Sequence, residues 1–172
     1  MGSSPQGEAL QVRLQLQRAK ESNDPFAFHP EPQEYILPTV GGGSPSASFP
    51  WTKELIADLE AIRQPGRSAE LLRRVGETLR RFLLSAGWAE VEREIAQALA
   101  EGRRVLLSIR SSAAELYALP WELLLLRSGQ AIGEEDRLLL RFEWPESAST
   151  PERPTPRREG GRILVAWSAA AG

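Results

Sequence analysis

Cysteine is absent from this 172-residue chain. That absence removes a disulfide framework, a thiolate zinc site, an iron–sulfur cluster and a cysteine nucleophile from the functions the chain itself can perform. Histidine occurs once, so any Ser-His pair or multi-His metal site would rest on His29 alone. Neither sign of charge is in excess. The 21 Lys and Arg against 23 Asp and Glu leave a formal net charge of −2, and no overall field draws the chain to nucleic acid or to an anionic membrane. Long apolar runs are missing as well: Leu123-Leu124-Leu125-Leu126 is far short of the roughly 20 residues that a membrane span needs. Met1 to Leu10 show no basic stretch followed by an apolar one. The expectation is a cytoplasmic protein with neither a nucleic-acid nor a membrane partner.

What is present suits one globular domain: 19.0 kDa, 41% of it hydrophobic, is enough chain for a core. Val12, Leu14 and Leu16 alternate with polar residues, the period of a half-buried strand whose other face is wet. Tyr35-Ile36-Leu37 is a second extended stretch, kept short or at an edge by Pro38. The turn signal Asn23-Asp24-Pro25 makes the two a hairpin-like pair. The loop Gly41-Gly42-Gly43-Ser44-Pro45 follows; without a Gly-Lys-Ser/Thr ending and a helix behind it, it reads as a flexible loop and not a phosphate cradle.

Three helices are predicted next. Thr52 caps the first, which runs to about Ile62 with Leu55, Leu59 and Ile62 on one face and Pro65-Gly66 at its end. Ser68 caps the second, where Leu71, Val75, Leu79, Phe82, Leu83 and Ala86 make a helical stripe stopped by Gly87. The third starts at Trp88, buries Val91, Ile95 and Leu99, and stops at Gly102. The run Val105-Leu106-Leu107-Ser108-Ile109 predicts a central strand covered on both faces. Ser112 and Glu115 have capping-box spacing, and Pro120 suits the first position of a further helix. Leu138 to Phe142 is another strand.

The layout is therefore extended strands and a Pro/Gly-rich loop over 1–50, helices and core strands over 51–144, a Pro-rich loop over 145–161, and a last apolar run over 162–172. That run, Ile163-Leu164-Val165-Ala166-Trp167, has the unalternating character of a parallel strand, which is normally followed by a crossover of a dozen or more residues. Only Ser168 to Gly172 follow. The chain reads as stopping in mid-fold, the alternative being a small domain that uses 163–167 as its terminal strand.

Leu106-Leu107-Ser108-Ile109, then Glu115-Leu116-Tyr117-Ala118-Leu119-Pro120-Trp121-Glu122-Leu123-Leu124, then Leu139-Leu140-Arg141-Phe142 together resemble the opening of a CHAT domain. These caspase-like domains of bacteria often accompany tetratricopeptide repeats. Leu119, Pro120, Trp121, Glu122 and Leu123 are similar to the family's Leu-Pro-Trp-Glu element, and Arg141 lies in the strand that follows it. The residues 162–168 resemble the family's next core strand. The resemblance implies an α/β caspase-hemoglobinase fold and cysteine-peptidase chemistry by a His-Cys dyad on later strands. With no cysteine, and with His29 matching no catalytic motif, no catalytic, cofactor-binding or metal role transfers to any residue. The six residues just named are fold-building on this reading: Pro120 starts a helical turn, Glu122 accepts from its free amide donors, and Trp121 buries its ring between helix and sheet. The implied partners are a protein substrate or regulatory protein and the rest of the chain's own domain; a stand-alone interaction domain is the alternative function.

Other clusters have plain readings. Arg67, Arg73, Arg74, Arg80 and Arg81 against Glu70 and Glu77 suit a solvated helix face with Glu/Arg pairs. The five tryptophans, 51, 88, 121, 144 and 167, sit at element ends as core and boundary packing. Glu134, Glu135 and Asp136 are a solvated acidic turn, and His29 is a surface or half-buried loop residue.

Overall fold

The computed structural model describes residues 8–20, 27, 29–37 and 43–144. Nine residues of alternating character form β1 (Leu10–Arg18), with Leu14 and Leu16 buried and Gln11, Arg13 and Gln17 exposed. β2 (Gln33–Ile36) lies antiparallel to β1, placing Arg18 opposite Tyr35. The hairpin-like pairing of the sequence is therefore observed; its turn at 23–25 falls outside the described residues, as do Gly41, Gly42 and everything from 145 onward. β3 (Ser46–Phe49), which the sequence reading did not foresee, extends the antiparallel side.

The predicted helices form where their caps put them. The Thr52 Oγ1 accepts from the Leu55 N–H at the start of α1 (Lys53–Ala61), and the Ser68 Oγ accepts from the Leu71 N–H at the start of α2 (Ala69–Leu84), each at 3.2 Å. Gly87, at φ +86°, takes the left-handed turn from α2 into α3 (Trp88–Ala100). Bidentate ion pairs tie the helices together, Arg74 of α2 to Asp58 of α1 and Arg80 of α2 to Glu92 of α3. Two α2 arginines thus reach across to neighbouring helices instead of pairing along their own face, as Arg73 does with Glu77.

β4 (Val105–Ser111) pairs in parallel with β1 on one side and with β5 (Leu138–Glu143) on the other, giving the sheet order β3-β2-β1-β4-β5. The fold is α/β, with a mixed five-stranded sheet and four helices among the described residues, α4 (Ala114–Tyr117) following β4. The core lies between α1–α3 and one sheet face: Leu14, Leu16, Val105, Leu107 and Ile109 meet Leu79, Leu83, Ile95 and Trp121. At its β3 end the Phe82 ring stands edge-on to Phe49 (5.0 Å) and Tyr35 (5.8 Å).

β4 is central, as expected, and Ser108 on its second face is buried, while the cover over the sheet's two faces is uneven. Among the described residues the helices cover one face; on the other, Leu106 and Arg110 are half-buried and Leu139 and Arg141 are exposed. The register explains why. It sets Leu106 beside Gln11 and Leu139, Ser108 beside Arg13 and Arg141, and Arg110 beside Gln15 and Glu143, so the neighbours supply a mainly polar face to an apolar strand. No helix among the described residues is long and apolar enough to cross a membrane.

Candidate functional site

Beyond the carboxyl ends of β4 and β5, the place where open α/β sheets hold their ligands, the chain turns through α4 and a single 3₁₀ turn, Trp121–Leu123. Trp121 is fully buried, and its Nε1 donates to the Leu116 carbonyl at 2.6 Å. A ring of that size removes roughly 150–250 Å² from water, about 4–6 kcal/mol of transfer free energy. The helix predicted to begin at Pro120 is this single 3₁₀ turn. Pro120 precedes the turn with ψ 72°, outside the helical range, and the chain leaves the turn extended at Leu124.

Two further expectations are corrected here. Glu122 makes no capping bond; it is exposed, because a turn of three residues offers its amides little to cap. Ser112 and Glu115 form no capping box either. The Ser111 Oγ accepts from the Ala113 N–H at 2.9 Å, and Glu115 points into the interior.

There the Glu115 carboxylate, fully buried, collects donors from three residues on two strands. Arg18 Nε and Nη2 reach Oε1 and Oε2 at 3.0 and 2.5 Å, Gln33 Nε2 donates to Oε1 at 3.0 Å, and the Tyr35 hydroxyl donates to Oε1 at 2.9 Å while accepting from Trp51 Nε1 at 3.1 Å. Burial by itself pushes the Glu115 carboxyl up, but the hydrogen bonds from Arg18, the backbone and Tyr35 outweigh it and hold the group below its ordinary range. Burial pushes the Tyr35 hydroxyl well above its ordinary value. A satisfied buried network of this kind fixes α4 to β1 and β2, and so fixes where the 119–123 element begins.

Tyr117, at the end of α4, joins the tips of the two parallel strands. Its hydroxyl accepts from the Ser111 N–H at 2.7 Å and donates to the Glu143 carbonyl at 2.5 Å, while its ring lies 4.4 Å from Trp144 and 6.0 Å from Phe142. From the other side α2 closes in at Gly76, where an added Cβ would lie 2.2 Å from the Leu123 carbonyl oxygen.

These contacts leave a half-open groove of about 450 Å³, within the usual size range of binding sites. Leu59 of α1, Ile62 just past its end, Leu72 of α2, Leu119, Leu123 and Phe142 give it apolar walls, and Arg63, Arg67 and Glu122 its charges. Of the six residues singled out in the sequence, Leu119, Pro120, Glu122 and Leu123 line this groove and Trp121 anchors it from below.

Arg141 is elsewhere. It lies on the opposite sheet face, donating from Nε to the Ser108 Oγ at 3.1 Å and pairing with Glu143, beside a cavity of about 290 Å³ that Arg13 and Gln11 share. Its neighbour Phe142 takes the groove side because strand residues alternate.

Sequence reasoning missed Gly76, Tyr117, Arg63 and the Arg18–Glu115 pair. A glycine in mid-helix was the one local signal for any of them. The other candidates stand apart from the groove. His29 is half-buried, and its carbonyl accepts from Gln33. Glu134 accepts from the Ala131 N–H, and Glu135 pairs with Arg137. Trp51 and Trp88 are buried while Trp144 is half exposed; Trp167 is outside the described residues. No family model, curated protein or solved structure matches the chain.

Proposed function

We propose that this chain supplies scaffold for a caspase-like cysteine peptidase of the CHAT type in the bacterial cytoplasm, without a catalytic group of its own. On this reading the His-Cys dyad lies in sequence beyond Gly172, and the protein cleaved is a regulatory or defence substrate. One observation carries the reading: the 119–123 element, on which the resemblance rests, follows a parallel β-strand by way of the short helix α4 and walls a groove at the carboxyl edge of the sheet. That edge is where an α/β peptidase would bind substrate. Nucleophilic cleavage needs an activated Ser, Thr or Cys with a base in reach; the chain has no Cys, and its one His does not line the groove.

The test compares the 172-residue chain with its natural gene product on a panel of fluorogenic peptides. The expected result is no turnover by the short chain, and turnover by a longer product that a thiol-alkylating reagent abolishes. A reading frame that stops at Gly172, or activity that alkylation leaves intact, overturns the proposal.

A second reading, a stand-alone interaction domain, is favoured by the groove itself, in which apolar walls stand beside two arginines. It is the one that remains if the frame stops.

A further inference from the structure

Of the six arginines between the end of α1 and the end of α2, five fall into two groups. Arg73, Arg74 and Arg80 each hold a carboxylate, Glu77, Asp58 and Glu92. Arg63 and Arg67 hold none among the described residues, and both line the groove. Arg67 is nonetheless fixed in direction, because its Nη1 donates to the Ile62 carbonyl at 3.0 Å. One of its five N–H donors is thus used and the rest stay available. Two exposed guanidinium groups without an ion-pair partner among the described residues stand beside apolar walls from Leu72, Leu119, Leu123 and Phe142, the last 47% exposed. Apolar walls with a few convergent polar groups are the make-up of binding grooves.

We infer that the groove docks an extended segment of a partner protein in which a carboxylate side chain neighbours a bulky apolar one. The apolar side chain enters between Leu72, Leu119, Leu123 and Phe142, and the carboxylate meets Arg63 and Arg67. Planar guanidinium groups favour carboxylate geometry, and such charge-assisted bonds strengthen beside apolar surface. Glu122 lines the same groove and has no ion partner among the described residues, so a segment acidic along its whole length is repelled there. The recognition element is one acid with one apolar anchor. Nucleic acid is the poorer fit, since it needs several phosphate contacts and stacking platforms, and this groove offers two cations, one opposing carboxylate and a chain of net charge −2. The inference rests on the groove alone and stands under either reading of function.

The experiment uses the intact 172-residue chain and fluorescence anisotropy. The probes are fluorescein-labelled Ala/Gly octapeptides carrying a central Asp-Phe pair, with Asn-Phe, Asp-Ala and all-Asp counterparts. Expected are saturable binding of the Asp-Phe peptide, about tenfold weaker binding of the other three, and weakening as salt rises. The double variant Arg63→Gln/Arg67→Gln, altered only at exposed positions, should keep its melting temperature and lose about tenfold in affinity for Asp-Phe while binding Asn-Phe as before. Equal affinity for Asp-Phe and Asn-Phe, an affinity unchanged in the double variant, displacement of the peptide by a single-stranded oligonucleotide, or no binding at millimolar peptide overturns the inference. Because no readout is hydrolysis, these outcomes are separate from those of the peptidase test.

Discussion

The guanidinium of Arg18, at the end of the first strand, grips the carboxylate of Glu115 across 97 residues of chain, with both side chains buried. Breaking a buried pair by removing one partner strands the other charge away from water. Glu115→Gln should therefore destabilise the fold by about 3–5 kcal/mol near neutral pH, as read from urea unfolding.

The same pair sets an acid dependence. The Glu115 carboxyl is held below its ordinary value in the folded state, so the native protein binds that proton less readily than the unfolded chain does. Its contribution is complete above the unfolded-state pKa of about 4.3 and is lost as pH falls through the lower folded value. Melting temperatures of wild type and Glu115→Gln should draw together as pH falls below about 4.3 towards about 3. A gap that stays constant over that range would count against the pair as its source.

Two buried indoles make opposite use of their N–H. That of Trp121 donates to the Leu116 carbonyl, whereas that of Trp88 has no acceptor among the described residues. Trp121→Ala should cost about 3–5 kcal/mol. Trp121→Phe should cost more than Trp88→Phe, by about 1 kcal/mol, because the first strands a carbonyl and the second removes an unmet donor. Denaturant midpoints of the two Phe variants decide it; equal midpoints would contradict the assignment.

At Gly76 two effects of opposite sign compete. Alanine in a helix interior is favoured over glycine by about 1 kcal/mol, but here its Cβ would sit 2.2 Å from the Leu123 oxygen and 2.9 Å from Leu125 Cγ. Backbone oxygen cannot move aside as a flexible side chain can, so the clash wins. Gly76→Ala should lower stability by about 1–3 kcal/mol, and a raised melting temperature would show that α2 does not approach this closely.

Tyr117 bridges Ser111 and Glu143 at the tips of β4 and β5. Tyr117→Phe keeps the ring and removes the bridge, at about 1 kcal/mol. The Ser111 amide should then exchange faster with deuterium than in wild type, while the amides of α2 keep their protection.

Local features were legible in the sequence. Thr52 and Ser68 cap the helices they precede, the Leu71-to-Ala86 stripe is buried along most of its length, and Gly87 ends α2, because capping and periodicity act over three or four residues. The alternation in β1 and the parallel-strand character of β4 are local in the same way. The α/β class follows from them, and four of the residues later found lining the groove were named with their anchor Trp121.

What the tertiary structure alone decided depends on neighbours that are distant in sequence. Glu115 has the spacing of a capping residue, yet the buried Arg18 outcompetes a local amide for its carboxylate. Pro120 could begin a helix, but the burial of Trp121 and the approach of Gly76 leave room for one turn. Arg141 and Phe142 are adjacent in the chain, and the sheet sends them to opposite faces. The polar second face of β4 came from Gln11, Arg13 and Arg141 on its neighbours, which no pattern within β4 could show. Periodicity tells a residue which face it shares; only the packing of strand on strand and helix on turn tells it what that face meets.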